Sequence, residues 1–226
     1  MDTKEIKTKS IEFWNEHFKN LQSFKIQKSD IVLDTSLDEC LKFIGDHCEN
    51  VLDIGCGDGI CLMEIALIGE RIKNGLGIDS SINAIKTAKE IVNLSKIDNV
   101  NFEVGDETAL SKIKSQSYDG IFCSNFLDVI PANIGDKVIK EMKRIIKPNG
   151  YILLKFNFFL TPLLIEKLKM VEIEKNTYSM NGVIRALNRS TEEWISLFNG
   201  FKVLRIDEFE RVPSMPKDRL ILLQNN

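Results

Sequence analysis

The sequence predicts an α/β fold, a mostly parallel sheet covered by helices and finished by an antiparallel hairpin, and three observations carry that prediction. Short apolar runs alternate with longer amphipathic ones from residue 51 onward, as strand–helix–strand units do. The first of those runs, VLDIGCGDGI at 51–60, drives straight into Gly55, Gly57 and Gly59, so a strand gives way to a tight turn. The last two, FKVLRIDEF (201–209) and RLILLQ (219–224), have no helix between them, only a loop holding Pro213 and Pro216. A chain of 226 residues with 43% hydrophobic content suffices for the core of one such domain.

Two helical stretches come first, one at 10–21 with Phe13, Trp14, His17 and Phe18, the other at 36–47. Strands follow at 51–55, 75–79, 100–104, 118–124 and 150–156. Asp58 is placed to cap the helix after the first strand and Ser80 or Ser81 the next. Pro148, Asn149 and Gly150 are placed to close a helix running over 135–147. Thr161 and Pro162 open a further helix, and Ser190-Thr191-Glu192-Glu193 reads as a capping box for another. The expected division is a helical cap over 1–48 and one domain over 49–226, with a lid-like insertion at 157–200.

Composition excludes several classes. Thirty basic against 33 acidic residues, without a block of like charge, leave no nucleic-acid footprint. The N-terminus has no apolar signal core, and FNFFLTPLLI (156–165) is broken by Asn157, Thr161 and Pro162, so no membrane span is expected. Five cysteines without a C-x-x-C pair fit reduced thiols, no zinc knuckle and a cytoplasmic setting.

The glycines ask for a ligand that approaches the backbone, because glycine tolerates positive φ and carries no Cβ to collide with it. A dinucleotide fingerprint needs glycine where Ile60 stands, and no Gly-Lys-Ser/Thr follows for a phosphate loop. No lysine or arginine lies between Asp53 and Glu70, while Asp53 and Asp58 sit in or beside the turn, so a phosphate is disfavoured. Asp79 ends the second strand, where a carboxylate can take both hydroxyls of a ribose or simply cap a helix. Asp106 and Glu107 end the third, where an adenine would lie, although Gly105-Asp106 is also an ordinary turn.

At this point the sequence resembles the class I S-adenosylmethionine-dependent methyltransferases. VLDIGCGDG, GLGIDSS, VGDETAL and YDGIFCSNFLDVI are similar to that family's first four motifs, and IIKPNGYILLKF to the helix–turn–strand that follows. The resemblance covers 49–156 well and extends loosely to the end. It implies a three-layer, doubly wound, mostly parallel seven-stranded sheet with a terminal antiparallel hairpin. It also implies S-adenosylmethionine as methyl donor, S-adenosylhomocysteine as product, and no metal. Asp53, Gly55, Cys56 and Gly57 would meet the methionyl and ribose portions, Asp79 and Ser80 the ribose, and Asp106 and Glu107 the adenine. Ser124 and Asn125 would line the methionyl end.

A general base is optional for such chemistry. Asp128 is the first candidate, with Lys155 and His17 behind it. CSNF follows the fourth strand in place of Asn/Asp-Pro-Pro-Tyr/Phe, and the chain has no Pro-Cys pair, which disfavours amino-group and cytosine-C5 methylation. Trp14, Phe126, Phe158 and Tyr178 are the expected contacts for a small-molecule acceptor. Phe13, Trp14 and Phe18 share one helical face, and the first 30 residues are expected to form a mobile lid over the cofactor. A monomer or homodimer is expected. An RNA or protein methyltransferase, or a nucleoside-binding module without catalysis, stays open.

Overall fold

The computed structural model of the protein describes residues 3–226. Its helices are α1 (Thr3–His17), α2 (Ser36–His47), α3 (Ile60–Ile68), α4 (Ile82–Ser95), α5 (Ala132–Ile145), α6 (Pro162–Lys167) and α7 (Thr191–Ser196). Its strands are β1 (Asn50–Ile54), β2 (Asn74–Asp79), β3 (Val100–Val104), β4 (Tyr118–Ser124), β5 (Ile146–Phe156), β6 (Val171–Glu174), β7 (Thr177–Met180), β8 (Val183–Leu187), β9 (Phe201–Phe209) and β10 (Asp218–Asn225).

Seven strands form one sheet in the order β3-β2-β1-β4-β5-β10-β9. The first five are parallel, and β10 runs antiparallel to both β5 and β9. Strands covered on both faces need apolar residues at every position, which is why β1, β4 and β5 read as runs and not as alternations. Neighbouring residues divide between two cores. Val51, Phe122, Leu153 and Leu220 face α2, α3 and α4, whereas Leu52, Ile121, Leu154 and Ile221 face α5 and α7. The anticipated three-layer, doubly wound sheet and its terminal hairpin are therefore present.

Three local expectations differ. Helix α5 ends at Ile145, and the Pro148-Asn149-Gly150 turn lies inside β5. There Ile146 pairs with Tyr118 and Tyr151 with Gly120, so 147–150 loop out opposite Asp119, with Asn149 at φ 61°. The insertion is only partly helical: α6 and α7 are short helices of 6 residues each, and between them β6, β7 and β8 form a separate antiparallel sheet. Asn176 (φ 58°), Asn181 (φ 54°) and Gly182 (φ 77°) turn the chain between these strands, and asparagine and glycine tolerate that region best. Helix α1 begins at Thr3 and ends at His17, seven residues earlier at one end and four at the other than the sequence reading of 10–21.

Helix α1 is anchored at two places. Asn15 accepts from the Ser81 hydroxyl and the Asn83 N–H at 3.1 and 3.0 Å. Lys7 Nζ reaches Asp106 Oδ2 at 2.6 Å and Glu107 at 2.8 Å. The helix thus lies across the carboxyl ends of β2 and β3.

Candidate active site

Strand order reverses between β1 and β4, and in open α/β sheets ligands bind in the crevice at the carboxyl ends beside that point. Here β1 delivers Asp53 and then the glycine turn. The N–H groups of Gly55 and Cys56 donate to the Ile78 carbonyl at 2.8 and 3.2 Å, folding the turn over β2. Gly55 has φ +72°, and a Cβ on it would lie 2.5 Å from the Phe126 ring. Gly57 has φ +55°, and a Cβ there would lie 3.1 Å from Phe18. Any other residue at either position is strained and closes the crevice.

Asp79 locks the turn from the second strand. Its Oδ2 accepts from Gly57 N–H at 2.9 Å and its Oδ1 from Ser81 N–H at 2.8 Å. Ser81 caps α4, accepting from Ala84 N–H, so Ser80 is left facing the cavity. The cap residue of α3 is Gly59, in the left-handed conformation, and not Asp58.

These elements enclose a cavity of about 410 Å³, within the size range of small-ligand sites. Asp53, Gly55, Cys56, Gly57, Asp79, Ser80, Asp106, Glu107, Ser124 and Asn125 all line it, as do Trp14 and Phe126. Three of the expected residues do not. Asp128 is buried and turned away, its Oδ2 taking the backbone and side-chain N–H of Asn157 at 2.9 and 2.8 Å. Phe158 and Tyr178 lie outside the lining, on the insertion. The other candidate bases are also elsewhere. Lys155 is buried, bonded to Asn125 Oδ1 at 2.9 Å and Asp218 at 3.0 Å, and His17 packs edge-on against Trp14 and Phe18.

Ser10, Ile11 and Phe18, from the segment expected to lie over the cofactor, line the cavity. Lys7, Pro131 and Arg211 line it too, and the sequence reading named none of them for the site. Phe18 had a signal, its place in the aromatic cluster. Lys7 and Arg211 had none, because their partners are remote in the chain or sit across the hairpin loop.

The wall at the ends of β1, β2 and β3 is acidic, with Lys7 set against it. Burial, then the charges of Asp79 and Asp58, push the Asp53 carboxyl well up, and one of its oxygens has no hydrogen-bond partner. Burial likewise raises Asp79, against the backbone donors of Ser81, Gly57 and Ser80, and raises Asp58. Asp106 differs: burial works upward, but the Lys7 ammonium and the Thr108 donors outweigh it and hold the carboxyl at about 2. Burial pushes the Cys56 thiol well above its ordinary value, so it is a neutral filler rather than a nucleophile.

S-adenosylmethionine fits this wall. Its amino and sulfonium cations suit a buried carboxylate with an unfilled acceptor at Asp53, and its ribose diol suits Asp79 beside a side-chain-free turn. At the adenine end, Asp106 already holds Lys7, so an adenine amine would have to share that oxygen.

Fold and cavity together define a class I, Rossmann-like, S-adenosylmethionine-dependent methyltransferase. A family described as "Methyltransferase domain" matches residues 46–200, and the chain belongs to it. Among curated relatives, the ubiquinone biosynthesis O-methyltransferase of Paraburkholderia phymatum is 33% identical over 116 residues, half of this chain and 47% of the relative. The chain spans about half the length of the curated relatives it matches. Among solved structures, a S-adenosylmethionine-dependent methyltransferase from Methanosarcina mazei superposes with TM-score 0.66 at 24% identity, over 80% of this chain and 93% of that one. The magnesium protoporphyrin IX methyltransferase of Synechocystis, solved with S-adenosylhomocysteine, gives TM-score 0.68 at 16% identity, over 97% and 100%. These two likenesses show the fold.

Proposed function

We propose that the protein methylates a small-molecule acceptor, and that the acceptor atom is a hydroxyl oxygen. The observation that carries the first part is the shape of the cavity. It runs from the glycine turn past Asp79 to Ser124–Phe126 and Pro131, and it is roofed by Trp14 and Phe18. Such an enclosure suits a compact acceptor better than a polymer. The named activity of the curated relatives supports oxygen as the atom.

S-adenosylmethionine, when bound, supplies a methyl group already activated by its sulfonium, which an in-line nucleophile can take up as the carbon–sulfur electron pair returns to sulfur. The chain's own residues orient and enclose. Asp79, held in place by the Gly57 N–H, would receive the ribose hydroxyls, Asp53 would draw the amino group inward, and Ser124 and Asn125 would line the methionyl end. Phe126, Trp14 and Phe18 exclude water from the crevice. Because Asp128, Lys155 and His17 all stand outside the lining, the acceptor is proposed to bind as the oxyanion, its proton lost to solvent before the aromatic roof covers it. A cytoplasmic setting fits five cysteines that are all free. Among the described residues no helix is long and apolar enough to cross a membrane.

The test is mass spectrometry of the purified protein for bound nucleoside, followed by transfer of labelled methyl to a metabolite panel rich in phenols and catechols. Label entering an RNA or protein fraction instead would refute the small-molecule reading, and label on nitrogen would refute the oxygen assignment.

A further inference from the structure

Charge is divided along the cavity. Asp53, Asp58, Asp79, Asp106 and Glu107 line it at the ends of β1, β2 and β3, where Lys7 offsets the last two. At the other end, the loop joining β9 to β10 brings Arg211 into the wall. Arg211 is only partly neutralised. Its Nε donates to Asp218 at 2.6 Å, yet Asp218 also receives the buried Lys155 ammonium at 3.0 Å, so one carboxylate serves two cations.

Arg185 on β8 has less still. Among the described residues no carboxylate and no carbonyl meets its guanidinium, which rests on the ring faces of Phe13 and Trp14 at 5.1 and 5.4 Å. Trp14 lines the cavity and Arg185 does not, so Arg185 stands one aromatic ring removed from it. Burial, then the nearby positive charge of Arg211, push the Arg185 pKa down, as befits a cation held without a counter-ion. A half-buried cation beside a second one carries a desolvation cost that ring faces offset only in part. A protein with 33 acidic residues has carboxylates enough to neutralise a purely structural arginine.

Resting on the small-molecule reading above, we infer that the acceptor carries a carboxylate or an anion of similar size, received between Arg185 and Arg211 at the cavity mouth while its nucleophilic atom points inward. The charge division matches the two reactants. A cofactor with a sulfonium and an ammonium belongs at the acidic end, and the basic end belongs to a partner of opposite sign. The cofactor's own carboxylate is the rival occupant of Arg211. Arg185 lies outside the lining, so it is reached only by a molecule that extends past Trp14, as an acceptor reaching out of the cavity would.

The experiment titrates benzoate and, separately, benzamide into the protein saturated with S-adenosylhomocysteine, followed by ligand-observed NMR. Benzoate is expected to bind at least tenfold more tightly. Arg185→Gln and Arg211→Gln should each remove most of that ratio, Arg185→Lys should retain it, and the Kd of S-adenosylhomocysteine should change less than twofold. Equal binding of the two probes overturns the inference, and so does a ratio that survives both glutamine variants. Weakened S-adenosylhomocysteine with unchanged methylthioadenosine, which lacks the amino-acid moiety, overturns it as well by giving the arginines to the cofactor. These readouts need no turnover. A failure of the small-molecule reading therefore shows separately, as label passing to RNA or protein.

Discussion

Replacing Asp79 by alanine removes a carboxylate with two duties, and the structure allows them to be separated. One duty is internal: its oxygens accept from the Gly57 and Ser81 N–H groups at 2.9 and 2.8 Å. The other is proposed, the reception of the ribose hydroxyls. Hydrogen bonds to a charged group contribute about 1.5 to 3 kcal/mol, so cofactor affinity should fall roughly ten- to a hundredfold. Loss of the turn's anchor would weaken binding too, so the affinity of Asp79→Ala alone does not identify the contact. Calorimetry with S-adenosylhomocysteine and its 2′-deoxy analogue does, through a double cycle. The parent should lose affinity for the deoxy ligand, and Asp79→Ala should bind both ligands almost equally. If the variant still discriminates between them as the parent does, Asp79 does not hold the ribose and its role ends with the turn.

Three further perturbations follow from the same geometry. Gly57→Val forces a branched side chain into φ +55° against Phe18; the backbone strain is about 1 to 2 kcal/mol, so thermal melting should fall by a few degrees while S-adenosylhomocysteine binding, followed by calorimetry, disappears. Lys7→Met removes the ion pair to Asp106 and Glu107, so amide exchange across α1 should quicken in the free protein, and S-adenosylhomocysteine should slow exchange of residues 10–17 in the parent; equally slow exchange in every state would make α1 a fixed support and not a lid. Glu64 on α3 has its pKa raised to about 7 by burial and then by Asp38 and Asp58. A folded pKa above the unfolded one means stability is greatest at low pH and is lost as pH rises from about 4.5 through 7. Glu64→Gln should therefore match the parent at about pH 4, below the unfolded value, and exceed it at about pH 8 by about 1 to 2 kcal/mol after allowance for solvent screening, measured by urea unfolding.

Much of the central sheet was legible because its strands obey local rules. Residues 100–104, 118–124 and 201–209 are read from sequence with the bounds the structure shows, since each is an apolar or alternating run stopped by a turn. The boundary after α5 was misread for a physical reason. Pro-Asn-Gly is a helix terminator in isolation, but Ile146 already pairs with Tyr118, so the same three residues became a bulge within β5. The small sheet went unseen because VEIE, TYSM and VIRAL are short and half-polar. Only their pairing with one another makes them strands.

The cavity shows the same division. Residues that line the cavity from strand ends were readable, because a carboxylate or glycine at the end of β1, β2 or β3 has its position fixed by the strand before it. Residues that arrive from elsewhere were not. Lys7 lies 99 residues from Asp106, and nothing near it in the chain distinguishes it from Lys9, the other lysine of EIKTKS. Arg211 sits in a proline-bounded loop whose position depends on the β9–β10 register and on Asp218. Arg185 differs again, since its significance comes from what is missing around it. A sequence can show a cation, but only packing can show that no anion accompanies it. The acidic end of the site follows from motifs, whereas the basic end, which the acceptor is proposed to read, exists only once α1, β8 and the hairpin loop have come together.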